Sequence, residues 1–225
     1  MSTPVPQTQI SEFLNQQIAA GEFPSATYLV AEKGSAAFAD AVGAAVKGDN
    51  EIPATLETIY DLASLTKPLV TGLLCARRIE SGQLTLDSAI ANYLPEFERA
   101  DRHMITLGQV LTHSSGIPAW RPLYALTGGN PDATVSVIAN EPLEYKPGSR
   151  VVYSDLGFIT LGLLLERLSG IRLAELARRE IFEPLNLRHT FFNPEKALQT
   201  GIAACELGNA FERETCREMG VEYEG

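Results

Sequence analysis

The stretch DLASLTKPLVTGLL, residues 61–74, places Ser64 and Lys67 three positions apart where an apolar helical stripe begins. Leu65, Leu69, Val70, Leu73 and Leu74 share one face of a helix that the pattern carries to about Glu80, with Gly82 as its stop. Residues three apart on a helix have Cβ atoms ~5–6 Å from each other, so the lysine can reach back to the serine hydroxyl. A serine is a weak nucleophile until a base touches it. A lysine of ordinary pKa, about 10.4, is protonated at pH 7 and is no base. Burial and the positive end of the helix dipole both lower that value, so a neutral amine is expected here. The helix start also turns the Ser64 N–H outward, which suits half of an oxyanion hole. The plainer reading is an ordinary helix start, with Ser64 as its cap and Lys67 in solvent.

The rest of the chain bounds the choice. Of its 225 residues 45% are hydrophobic and 20% charged, enough for a real core. The net charge of −10 repels phosphate backbones, so no nucleic-acid partner is expected. No apolar run approaches the ~20 residues that cross a bilayer, so no membrane partner is expected. The start, MSTPVPQTQISEFLNQQ, lacks the basic and apolar regions of a signal peptide, and the expected location is the cytoplasm. Cys75, Cys205 and Cys216 form no CxxC and are odd in number. With His103, His113 and His189 they show no metal-ligand spacing, so neither a metal nor an organic cofactor is expected.

Ile10, Phe13, Leu14 and Ile18 fall at helical spacing before Gly21. SATYLVAE and SAAFADAVG, joined by Lys33-Gly34, form an expected hairpin, and residues 44–58 a polar loop. LTLDSAIANYL suggests a short helix, and MITLGQVLTHSSGIP another with Thr106 as its cap. Residues 116–133 suggest a long loop. PGSRVVYSDLGFITLGLLLERLSG suggests a turn and then a helix capped by Ser154 or Asp155 and closed by Gly170. LAELARREIFEPL is a helix ended at Pro184, and the acidic tail ERETCREMGVEYEG a solvated helix face. Strand signals lie at the N-terminal end alone, and one hairpin is marginal by itself.

Three blocks, TIYDLASLTKPLVTGLL, LTHSSGIP and PGSRVVYSDLGFITLG, resemble in order those of the serine beta-lactamase-like family. That family includes class C beta-lactamases, low-molecular-weight penicillin-binding proteins, D-aminopeptidases and related carboxylesterases. The resemblance spans roughly residues 20–210. It implies Ser64 as the acylated nucleophile, Lys67 as its base partner, and Tyr153 as the tyrosine that relays a proton to the leaving group.

The chain departs from the family in two ways. Asp155 stands where class C beta-lactamases have Asn, and an ionised carboxylate accepts hydrogen bonds without donating. That leans away from a lactam side-chain amide and toward an ester, a D-amino-acid amide or another donor-rich substrate, unless Asp155 is simply a helix cap. The family's later Lys-Thr-Gly or His-x-Gly motif is absent, as His189 is followed by Thr190 and Phe191. The C-terminal strands of the sheet therefore read as missing, and the chain alone is expected to be poorly active.

The other candidates carry weaker signals. Trp120 and Tyr124 fall in the 116–133 loop, where they would either wall an acyl pocket or pack. His113 reads as a helix-end residue, where a cation is favourable. Cys75 reads as a small core residue. The sequence lacks Gly-x-Ser-x-Gly, a phosphate loop and His-Glu-x-x-His, against an alpha/beta-hydrolase, a nucleotide enzyme and a zincin.

The expected fold is α+β, similar to the beta-lactamase and penicillin-binding-protein fold. Residues 1–80 would form the N-terminal part of a sheet domain with the nucleophile helix, and residues 81–225 a mostly helical domain, with the site in the cleft between them. The expected activity is hydrolysis of a small ester or amide through an acyl-enzyme on Ser64. Beta-lactamase action, D-amino-acid peptidase or transpeptidase action, and a catalytically inactive binding role are the alternatives. Oligomeric state is left open.

Overall fold

The computed structural model describes residues 5–99, 101–206 and 208–223. The chain divides into two compact units. The first runs from the N-terminus to Leu62 and takes in Asn193–Glu206, while the second takes in Ala63–Phe192 and the C-terminal helix. The expected division near residue 80 falls inside the second unit.

In the first unit, helix α1 (Thr8–Ala20) packs against an antiparallel sheet of strands β1 (Ser25–Glu32), β2 (Ser35–Val46) and β3 (Ile52–Pro53). The β1–β2 hairpin pairs Glu32 with Ser35 across Lys33 and Gly34. Both turn residues have positive φ, 49° and 78°, the twist that two-residue hairpins favour. Gly43 is required: a Cβ there would lie 2.3 Å from the Pro24 carbonyl oxygen. Residues 44–58 are not all loop. β2 continues to Val46 and pairs with β3 through Ala44–Pro53 and Val46–Ile52. That pairing is between backbones and leaves little mark on side-chain pattern.

In the second unit the nucleophile stretch begins as a 3-10 turn (Ala63–Leu65), widens to a π turn (Lys67–Gly72) and settles into helix α2 (Leu73–Glu80). Pro68 sits in the first turn, where its missing N–H costs no internal bond. The unit continues with α3 (Leu107–Leu111), α4 (Leu123–Thr127), α5 (Pro131–Asn140), α6 (Asp155–Ser169), α7 (Leu173–Ala177) and α8 (Ala210–Glu218). Thr106 caps α3 in a full capping box with Gln109. Cys216 on α8 is buried, so the tail is only partly a solvated face, and residues 224 and 225 of that tail lie outside the described residues.

Two segments differ from expectation. The 116–133 stretch holds α4 and the start of α5, where the Asn130 side chain accepts from the N–H groups of Asp132 and Ala133. LTLDSAIANYL forms only a 3-10 turn, Ile90–Asn92. The Ser88 hydroxyl ties Thr85 N–H into a turn, and Ile90 N–H donates to Ile105, which pulls the backbone out of helical pairing.

The core gathers around α6, whose Leu156, Leu161, Leu164 and Leu165 are buried beside Leu74 and Cys75 of α2, Ile138 of α5 and Phe97. Burial pushes the Cys75 thiol up to about 12, so it packs as an inert small residue. Arg78 of α2 grips Glu180 with two hydrogen bonds, of 2.8 and 2.6 Å. The bond from Arg78 is the main reason that the Glu180 carboxyl lies below its ordinary value of 4.5, and Arg167 lowers Glu96 likewise. Such depressed carboxylates add stability that is present above the ordinary value and lost as pH falls through the lower folded value. The urea midpoint is therefore expected to drop as pH is taken below about 4.5, and Glu180→Gln to flatten part of that drop. An unchanged acid slope in the variant would contradict this.

Candidate active site

Three segments of the second unit meet at the site. The first is the turn after Leu62. Ala63 has φ 43°, a left-handed conformation unusual for alanine, and it delivers Ser64 to an exposed position at the head of the helix. Outliers of this kind cluster at functional sites. Lys67 Nζ lies 3.0 Å from Ser64 Oγ and donates to it.

The second segment is the approach to α6. Ser154 caps that helix by accepting from Gly157 N–H, and its hydroxyl donates to the Pro118 carbonyl at 2.7 Å. Ser154, rather than Asp155, is therefore the cap. Asp155 starts the helix with its carboxylate turned to Lys67, Oδ1 to Nζ 2.6 Å. The contact is an ion pair at hydrogen-bond distance, and Oδ1 is buried. The Tyr153 ring lies beside the same ammonium, 4.9 Å from centroid to Nζ.

The third segment, residues 113–119, laces the other two in place. Val152 N–H donates to His113 O, and Asp155 N–H to Ala119 O. His113 itself has φ 57° and sets its ring, tilted, against Tyr153 and Phe158 at 4.7 and 5.0 Å. Its Nδ1 accepts from Ser154 N–H, which puts the imidazole proton on Nε2. Burial and then the Lys67 charge hold its pKa below the ordinary value, against a smaller pull from Asp155. The expected helix-end cation is thus a neutral plate that supports Tyr153. Nothing near His113 in the chain signals this role, because its partners come from a distant segment.

The charge on Lys67 also departs from expectation. Burial does lower its pKa, but hydrogen bonding to Asp155 and Tyr153, with their charges, outweighs burial and leaves it above the ordinary lysine value. The resting amine is an ammonium, because Asp155 and Tyr153 together offset its burial.

A cavity of about 640 Å³ opens beside the pair, and Ser64, Lys67, Asp155, Trp120 and Tyr124 all line it. Leu123, Ile159, Leu163 and Leu173 make its apolar wall. Trp120 rests on Phe211 of α8 at 5.4 Å, and the Tyr124 hydroxyl meets Cys216 Sγ at 3.9 Å. Both aromatics therefore line the cavity and pack as well. Tyr153 lies on the other side of the pair, in a second hollow of about 340 Å³ shared with Ser64, Lys67 and His113. Among the described residues no cluster of three or more His, Cys, Asp or Glu side chains could hold a metal ion. No helix among them is long and apolar enough to cross a membrane.

The beta-lactamase family model matches residues 10–225. A protein of Escherichia coli K12, named for D-alanyl-D-alanine carboxypeptidase activity, is 33% identical over 205 residues, covering 83% of this chain and 47% of its own. Among solved structures, EstCE1, a hydrolase with promiscuous acyltransferase activity, superposes with a TM-score of 0.75 at 28% identity, over 87% of this chain and 55% of its own. A class C beta-lactamase in complex with cefoxitin has a TM-score of 0.76 at 21% identity, over 87% and 54%, which bears on the fold alone. The chain thus spans about half the length of these relatives. Its fold is the α+β fold of beta-lactamases and penicillin-binding proteins, with a small antiparallel sheet and a helical part.

Proposed function

Because this chain belongs to the beta-lactamase family, we propose that it carries the nucleophile of a serine hydrolase that works through an acyl-enzyme on Ser64. The observation that carries the reading is the 3.0 Å contact between Ser64 Oγ and Lys67 Nζ at the edge of a cavity with an apolar wall. Lys67, once it has lost its proton, takes the proton of Ser64 as the hydroxyl attacks a carbonyl carbon. The Ser64 N–H at the head of the helix supports the oxyanion. Lys67 and Tyr153 carry the proton to the leaving group, and water then releases the acyl group.

The substrate class we favour is a small ester whose acyl part lies against Leu123, Ile159 and Leu163, walled by Trp120 and Tyr124. Cleavage of a D-alanyl peptide is the second reading, and the name of the Escherichia coli relative favours it. The purified chain and its Ser64→Ala variant, offered p-nitrophenyl butyrate and a D-alanyl-D-alanine peptide, separate the two. Serine-dependent release of p-nitrophenol supports the esterase reading, and serine-dependent release of D-alanine the peptidase one. Release that is equal in the variant, or a Ser64 that takes no acyl group from the ester, would overturn the hydrolase assignment and favour a binding role.

A further inference from the structure

The Ser64, Lys67 and Asp155 side chains form a continuous line, Oγ to Nζ 3.0 Å and Nζ to Oδ1 2.6 Å. The order is nucleophile, amine, carboxylate, with the third group holding the second. The geometry points to Asp155 as a positioning residue that keeps Lys67 an ammonium in the resting protein, so that Ser64 is acylated only by molecules whose Lys67 has first given its proton to water. This rests on the reading of Ser64 as nucleophile.

The charged and titratable groups that the described residues place against Lys67 fit this role. Asp155 of α6 supplies the negative charge, and Lys67 is only 14% exposed, so water screens the pair poorly. Tyr153 presents its ring and a hydrogen-bonding hydroxyl, which add to the hold of Asp155. His113, below its ordinary pKa, adds no competing cation. On the lysine's own element, the Ser64 oxygen accepts from Nζ, so its hydroxyl proton has no base while Lys67 is charged.

The acylation step then balances in three moves. The ammonium first loses a proton to solvent. Neutral Nζ next takes the Ser64 hydroxyl proton as the Oγ–carbon bond forms and the carbonyl π pair moves to oxygen. That pair then returns, the bond to the leaving oxygen breaks, and the departing alkoxide takes its proton from Lys67. The Ser64 ester and a free alcohol result, with Lys67 neutral again and ready to rejoin the pair with Asp155 by taking a proton from water.

The test reads Lys67 directly and the reaction separately. Lysine labelled with carbon-13 at Cε is titrated by NMR in the wild-type protein and in Asp155→Asn, which keeps the size and removes the charge. The Lys67 signal is identified by its loss in Lys67→Arg, and the remaining lysines serve as internal reference. Removing an opposite charge at contact is expected to lower the Lys67 midpoint by about 1–3 pH units. In parallel, the pH at which p-nitrophenyl butyrate acylates the chain should fall by the same interval. Acylation on the rising limb should gain up to about tenfold for each pH unit that the limb moves, less the smaller loss that comes from a weaker base. Asp155→Ala provides a second variant should the Asn protein fail to fold.

A Lys67 midpoint that stays put or rises in both variants would overturn the proposal, whatever the ester does. A midpoint that falls while neither protein is acylated would uphold the hold of Asp155 on Lys67 and refute the reading of Ser64 as nucleophile.

Discussion

Replacing Lys67 by Met is expected to slow acylation of Ser64 by about 10²–10⁴-fold, the range that one positioned base supplies. Met keeps the apolar stem and fills the slot beside Ser64, so the loss reports the amine rather than a cavity. The variant also removes the charge facing Asp155. That carboxylate is 35% exposed and keeps contact with water, so the fold should survive. Single-turnover labelling with p-nitrophenyl butyrate checks the rate, and the urea midpoint checks the fold. A rate within threefold of wild type would mean that another group activates Ser64.

The second large effect is on stability. Gly116 has φ +80°, and a Cβ there would sit 2.3 Å from the Tyr145 carbonyl oxygen. Gly116→Ala must therefore hold alanine in a left-handed conformation and also push two backbone segments apart. The conformation alone costs about 1–3 kcal/mol, and the clash adds to it. The same strand of chain carries His113 and the carbonyls of Pro118 and Ala119 that fix the start of α6. Both the urea midpoint and the acylation rate should fall together. A variant as stable as the parent would show that the 113–119 segment is looser than its hydrogen bonds indicate.

Where local chemistry decides the structure, the sequence was legible. The hairpin could be read from its Lys33-Gly34 turn, α6 from Ser154 or Asp155 and Gly170, and α3 from Thr106. Ser64 and Lys67 met as their spacing required. Most of the failures share a physical cause, which is contact between distant segments. β3 exists through backbone pairing with β2. The 85–92 stretch lost its helix to hydrogen bonds with residues around Ile105. α5 was hidden because Asn130-Pro131 signals a turn as well as a helix start. The charge of Lys67 has the same origin. Burial alone would lower its pKa, but Asp155 at the start of α6 and Tyr153 just before it together offset that burial. The pairing of Lys67 with Asp155 exists only in three dimensions.

The claim that Ser64 is an activated nucleophile is tested most directly by the intact mass of the purified chain after exposure to p-nitrophenyl butyrate, beside Ser64→Ala. The expected result is a gain of one butyryl group, located on the peptide that carries Ser64 and absent from the variant. No gain, or an equal gain in the variant, would contradict it.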